Sequence, residues 1–380
     1  LAAANPWLVR YATETRMYSL VVLLVLVLLL TLDRVGRQPG PRSAAGLAAV
    51  SGALLLTHYW AMFLLAALGI GAVTALLRAA GPGGADRRRR ALAVLAGLGG
   101  GGLLFAPWLP SLLFQLRHTG TPWARPPRPT DVVTLVVDWS SAAVGRAAWL
   151  ALPVAALALL AVVRAARPSR TAVLAAWLAG TVLLAYAACL ATASAFVSRY
   201  SAVVVPIVLL LVAQGLSTLG RRARTVGTAA LCAAWVATSA VVVSTPRTQA
   251  GEAAAAVEAR ARPGDLVVYC PDQLGPSVSR ELAAPVASRT YPDGAPPERV
   301  DWVDYRQRHR SASPAGFARD ALAATPEGAR IWLVTSTGYA TAAGCRALTR
   351  VLTERLGAPT TVLRPRPRVF ERVGVSWWRR

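Results

Sequence analysis

Through residue 244 the chain alternates long apolar runs with short arginine-bearing breaks. A helix that crosses a bilayer needs about 20 predominantly apolar residues. Eight segments approach or reach that length: 17–32, 44–59, 61–77, 91–113, 147–163, 171–195, 201–219 and 226–243. Residues 43–77 form one apolar stretch broken only by THYW. This predicts two short spans turning at His58 and Tyr59, with one long tilted span plus a re-entrant piece as the alternative.

The pattern changes at Ser244. Residues 245–380 hold no further span, and their charges are dense and mixed. Apolar periodicity predicts helices over 252–261, 277–282, 314–324 and 343–356. LVVYC (266–270) and RIWLVTS (330–336) read as buried strands, and TTVLR and RVFERV as edge-like strands. Strand–helix alternation predicts a small α/β layer with a partly parallel sheet. No glycine-rich phosphate fingerprint follows either strong strand. The fold class expected is a polytopic α-helical membrane domain over 1–244 with a C-terminal extracytoplasmic α/β domain over 245–380.

Arginine placement orients the spans. Arg and Lys accumulate in short cytoplasmic loops. The breaks at 33–43, 78–90, 164–170 and 220–225 hold fourteen Arg against two Asp; the opposite set holds seven Arg over more residues. Residues 1–16 and everything after 243 then lie outside. Hydrophobic residues make up 55% of the chain and charged residues 16%, which is a membrane composition rather than a soluble one. The net charge of +23 is carried by Arg alone, since the chain has no Lys. Topology and contact with anionic lipid account for that charge, DRRRR included, and no nucleic-acid partner is expected.

Cys189 and Cys232 fall inside spans and read as small apolar residues. Cys270 ends the first strong strand and Cys345 opens the helix after the second. On adjacent parallel strands these positions suit a disulfide in an oxidising compartment. His58, His118 and His309 are far apart and no Cys-x-x-Cys occurs, so no metal cluster or cofactor is expected.

The polar residues that need a reason gather on the predicted outer side. A charge within a span costs about 2.5–3.5 kcal/mol on insertion scales. Glu14 and Arg16 precede the first span, and His58 and Tyr59 sit between the second and third. Gln115 follows the fourth, and Arg199 and Tyr200 precede the seventh. Glu14 and Arg16 read either as a local ion pair or as part of an anion site. In the second reading Arg16 and Arg199 clamp a phosphate whose tail stays in the bilayer, because a guanidinium fork suits phosphate oxygens. His58 reads as a hydrogen-bond donor to sugar or phosphate, or as an interfacial turn residue. Tyr59 reads likewise as donor or as aromatic anchor.

The break between the fourth and fifth spans is about 30 residues long, where most connections are 2–8. Its first part is rigid with Pro and carries Trp123. Its second part, DVVTLVVDWSS, predicts an amphipathic segment lying on the membrane, with Asp138 and Trp139. Trp123, Trp139, Gln115 and Asp138 are candidate substrate contacts; the two Trp serve equally well as interface anchors.

Four stretches of the helical part, in order, and one of the C-terminal part resemble one family. NPWLVRYATETRMYSL is similar to the Y-A-x-E-x-R-x-Y-S-L stretch of bacterial membrane glycosyltransferases of the dolichyl-phosphate-mannose–protein mannosyltransferase type, in the GT-C superfamily (glycosyltransferase family 39). LLLTHYWAMFLL resembles their T-H-Y motif, and FAPWLPSLLFQLRHTGTPWARPP the start of their long outer loop. SRYSAVVVPIVLLLVAQGL resembles their late R-Y…P span, and VVYCPDQLGPSVSREL looks like the outer domain of an actinobacterial-type branch. The resemblance implies inverting transfer of a sugar from a polyprenyl-phosphate-sugar donor to a glycan, lipid or protein acceptor outside the plasma (inner) membrane. In the family the general base is an Asp of the first outer loop, which is expected upstream of Leu1, so no catalytic residue is assigned within the chain.

Two other classes compete. A lipid-linked-sugar transporter needs polar residues deep in its spans, and the first, third and fifth carry essentially none in their middle thirds. A non-catalytic envelope-assembly protein would use the C-terminal domain to bind a partner.

Overall fold

The computed structural model describes residues 1–79, 84–121, 125–165, 169–367 and 369–380. The chain is mostly helical, with a small sheet near the C-terminus. It divides into two compact units, one of residues 1–113 and 124–244, the other of 114–123 and 245–380.

The first unit holds α1 (Pro6–Ala12), α2 (Tyr18–Arg37), α3 (Pro41–Thr57), α4 (Ala61–Leu77) and α5 (Gly84–Phe105). α6 (Leu109–His118) runs on from α5 into the second unit's segment. α7 (Pro129–Ser141), α8 (Ala151–Val163), α9 (Arg170–Thr192), α10 (Val205–Ser217) and α11 (Arg221–Ser244) complete the first unit. Among the described residues five helical stretches are long and apolar enough to cross a membrane: Tyr18–Arg37, Gly84–His118, Gly145–Val163, Arg170–Thr192 and Arg221–Ser244. α4 and α10 are apolar but shorter.

Glycine sets the closest helix approaches. The run GLGGGG lies on α5 against α3: a Cβ added at Gly97 would meet Leu47 at 2.7 Å, and one at Gly101 would meet Ser51 at 2.5 Å. Where the hydrophobic drive is weak, such small residues let helix backbones pack closely. At one end of the bundle Asp33 of α2 pairs with Arg37 at 2.8 Å and with Arg170 of α9 at 3.1 Å. Arg164, just after α8, donates to the Thr218 carbonyl after α10 at 2.9 Å. This is the arginine-rich end.

The second unit contains α12 (Ala250–Glu258), β1 (Leu266–Cys270), α13 (Gly275–Glu281), β2 (Ala287–Thr290), α14 (Tyr305–Ser311), α15 (Pro314–Ala324), β3 (Arg330–Thr335), α16 (Ala342–Leu356), β4 (Thr360–Leu363) and β5 (Gly374–Arg379). The sheet order is β2-β1-β3-β5-β4. β1 pairs parallel with β2 and β3, while β5 pairs antiparallel with β3 and β4. β1 and β3 are buried on both faces, as parallel strands covered by helices must be. Val267, Tyr269, Trp332 and Val334 enter a core with Ala253 and Val257 of α12 and Val278 of α13. Leu266, Val268, Ile331 and Leu333 enter the opposite core with Ala318 of α15 and Leu348 of α16. The result is an α/β/α sandwich.

The RVFERV expectation is corrected. Its described residues form no strand; Glu371 makes only an isolated bridge to Thr248, and the strand begins at Gly374. The glutamate is drawn out of the sheet by Ser277 and Tyr339, whose hydroxyls donate to its carboxylate at 3.0 and 2.7 Å. Cys270 is disulfide-bonded to Cys345, with Cα atoms 5.5 Å apart, which ties the end of β1 to the first turn of α16.

Candidate functional site

The end of the bundle opposite the arginine-rich breaks collects the polar side chains of the first unit. α1 starts cleanly because Asn5 caps it, its side chain accepting from the Leu8 N–H at 3.0 Å, with Pro6 in the first turn. A tight turn follows in which the Arg16 N–H donates to the Glu14 carbonyl at 2.7 Å. The turn places the Glu14 carboxylate between two guanidinium groups, Arg10 at 3.9 Å and Arg16 at 3.8 Å. The Glu14 side chain is 11% exposed and that of Arg16 52%, so the acid is held inside and the arginine faces outward.

An aromatic cluster lies beside this triad. The Tyr18 ring is 5.0 Å from Tyr11 and 5.8 Å from His58, and His58 is 5.4 Å from Tyr200. Trp60 is 5.9 Å from Tyr200. His58 is buried, and its Nδ1 accepts from the Trp60 N–H at 3.1 Å, which puts the proton of the neutral ring on Nε2. Arg199 lies over the Tyr200 ring at 5.3 Å. Arg199 and Arg16, from two separate elements, both act electrostatically on the Tyr18 phenol.

α7 closes the cluster on a third side. Asp138 is hydrogen-bonded to Ser198 and feels the charge of Arg10. Burial pushes its carboxyl above the usual carboxylate range, against both of those influences. Arg10 also donates to the Ala142 carbonyl at the C-terminal end of α7, at 2.5 Å, where a cation complements the helix dipole. Trp139 is 6% exposed; its indole donates to Ser201 at 2.7 Å and its carbonyl accepts from Asn5 at 3.0 Å. At the start of α7, burial raises the Asp131 carboxyl, but the Arg125 fork and the Arg128 N–H outweigh it and hold the group below its usual range.

The structure thus gathers Glu14, Arg16, His58, Arg199, Tyr200 and Asp138 into one region. Tyr59 faces elsewhere, accepting from the Trp108 indole at 2.9 Å. Trp139 is a correction: a buried ring with its N–H engaged offers no open face for stacking on a sugar or sitting in headgroups, and it fastens α7 to the turn that carries Arg199. Gln115, on α6, belongs to the second unit, where its carbonyl accepts from Thr119 and Gly120. Trp123 lies outside the described residues. Sequence reasoning passed over Arg10, Tyr18 and Ser198. Arg10 had a visible signal, its i,i+4 spacing to Glu14; Ser198 had none, because its partner is distant in sequence.

Chemically, the arrangement offers a partly exposed cation, a second cation across an aromatic cluster, and a carboxyl whose ionisation is held back by burial. Among the described residues no group of three or more His, Cys, Asp or Glu is placed to hold a metal ion. No protein-family model, curated protein or solved structure matches the chain.

Proposed function

We propose that the chain is a membrane glycosyltransferase that moves a sugar from a polyprenyl-phosphate-sugar to an acceptor at the membrane face bearing the polar cluster. The observation that carries this reading is that Arg16, paired with Glu14, and Arg199, over the Tyr200 ring, flank the Tyr18–His58–Tyr200 cluster in a set of apolar helices. A phosphate anchored by a hydrocarbon tail needs cations at such a boundary. The leaving group is already a phosphate, so stabilising its charge matters more than protonating it. In this reading Arg16 and Arg199 neutralise the departing polyprenyl phosphate, and Glu14 holds Arg16 in place. Tyr200, half-buried beneath Arg199, lines the donor headgroup, and the buried Tyr18 and His58 pack behind it. The eight apolar segments are eight spans, with the arginine-rich breaks cytoplasmic and residues 245–380 extracytoplasmic.

The test is transfer from a radiolabelled polyprenyl-phosphate-sugar in membranes expressing the protein. Arg16→Ala and Arg199→Ala are each expected to cut transfer well over tenfold at unchanged expression, as loss of a charge-stabilising donor does. Native rates in both variants would overturn the reading.

A further inference from the structure

Far from the polar cluster, at the arginine-rich end of the first unit, α4, α5 and α9 with Leu32 of α2 enclose a groove of about 920 Å³. Its walls are apolar and include Ile70, Val94, Val173 and Leu184, with Trp177 on one side. Its rim carries Asp86, Arg87 and Arg90. The two arginines are three residues apart, so they project from one face of α5. Arg87 is steadied by donating to the Arg78 carbonyl at 2.9 Å. Asp33, the other acid at this end, is taken by Arg37 and Arg170. The rim therefore has one carboxylate against two guanidinium groups.

We propose that this groove binds an anionic diacyl phospholipid, with its phosphate on Arg87 and Arg90 and one acyl chain along α9. Charge complementarity selects the headgroup, since basic pockets between membrane helices take anionic lipid heads. The length of the groove selects the tail. Its lining runs along α9 from Val173 to Leu184, eleven residues on, or about 16 Å at the helical rise. That is half of a hydrocarbon core of about 30 Å, the depth of one leaflet. A polyprenyl chain would far outrun it. The inference does not rest on glycosyl transfer, because the groove and the polar cluster share no residue.

The full chain is reconstituted in phosphatidylcholine vesicles, and the motionally restricted fraction of a chain-labelled phosphatidylglycerol is compared with that of phosphatidylcholine carrying the same spin label. The expected result is a clear preference for phosphatidylglycerol. The double variant R87Q/R90Q is expected to weaken that preference roughly tenfold or more. Its control, R88Q/R89Q, removes the same charge from neighbouring positions outside the groove lining and is expected to keep it. Ala176→Phe, which fills the groove with every arginine in place, is expected to lower the restricted fraction. Equal retention of the two lipids, or equal loss in both double variants, would show a diffuse basic surface and overturn the proposal.

Discussion

The indole N–H of Trp139 donates to the Ser201 hydroxyl at 2.7 Å, joining the helix of Asp138 to the turn of Arg199. Ser201 in turn donates to the Ser198 carbonyl at 2.6 Å, and Ser198 is the hydrogen-bond partner of Asp138. Trp139→Phe keeps an aromatic ring but removes the N–H and shrinks the buried side chain from a bicyclic indole to a single benzene ring. The expected loss is about 2–3 kcal/mol of stability: about 1 kcal/mol for the hydrogen bond and the rest for the cavity left by the smaller ring. Under the proposed function, sugar transfer is expected to fall further than that, because the arginine turn is no longer pinned. Thermal unfolding and transfer assays on the same preparation separate the two; a variant with native activity would mean that the turn holds itself.

Asp138 gives a pH dependence with a definite sign. Burial raises its folded-state pKa above the unfolded value of about 3.9. The folded protein therefore binds this proton more tightly than the unfolded chain. The resulting stability is fully present below the unfolded pKa and is lost as pH rises through the folded one. Asp138→Asn is expected to flatten that decline and to match or exceed the native protein in unfolding temperature at neutral pH. A lower unfolding temperature would show that Ser198 and Arg10 outweigh burial.

Gly215 of α10 sits where any side chain would strike the backbone carbonyl of Leu157 on α8. A carbonyl inside a helix has no rotamer by which to give way, so the two helices must separate. Gly215→Ala is expected to cost about 2–3 kcal/mol, as overpacking does. Gly99→Ala is its control on α5: an added Cβ there meets nothing within 4 Å. That change is expected to be neutral or slightly stabilising, because Gly is the poorer helix former. Thermal unfolding in detergent should separate the two variants by several degrees.

Much of this was legible in the sequence. Apolar run length marks the helices, and the strands LVVYC and RIWLVT are unmistakable because both faces are covered. β5 was not legible. GVSWWR carries Ser376 and an arginine and looks like a tail, yet it lies inside the sheet between β3 and β4, where Trp378 pairs with Ile331 and joins the core under α15 and α16. Its strand character comes from pairing with β3, which no local pattern records. The site divides similarly. Glu14 beside Arg16 was visible as charge at the mouth of an apolar run, whereas the burial of Trp139 depends on Ser201, 62 residues away.

Asp265 shows how the sandwich is locked. The residue is 1% exposed and sits in the turn before β1. One carboxylate oxygen accepts from the Arg330 N–H at 2.8 Å. The other accepts from the Trp332 indole at 2.9 Å and from the Arg262 N–H at 3.0 Å. The carboxylate thus satisfies donors from its own turn and from β3, fixing the register of the two central strands. Asp265→Ala leaves the Arg330 N–H and the Trp332 indole buried without partners, at about 1–3 kcal/mol each, so a loss of several kcal/mol is expected. Asp265→Asn keeps the shape but gives one face an amide that donates, so it is expected to recover only part of the loss. Circular dichroism melts of the full chain should rank native above Asn above Ala. An alanine variant as stable as native would mean that water replaces the carboxylate and that the lock is not in this turn.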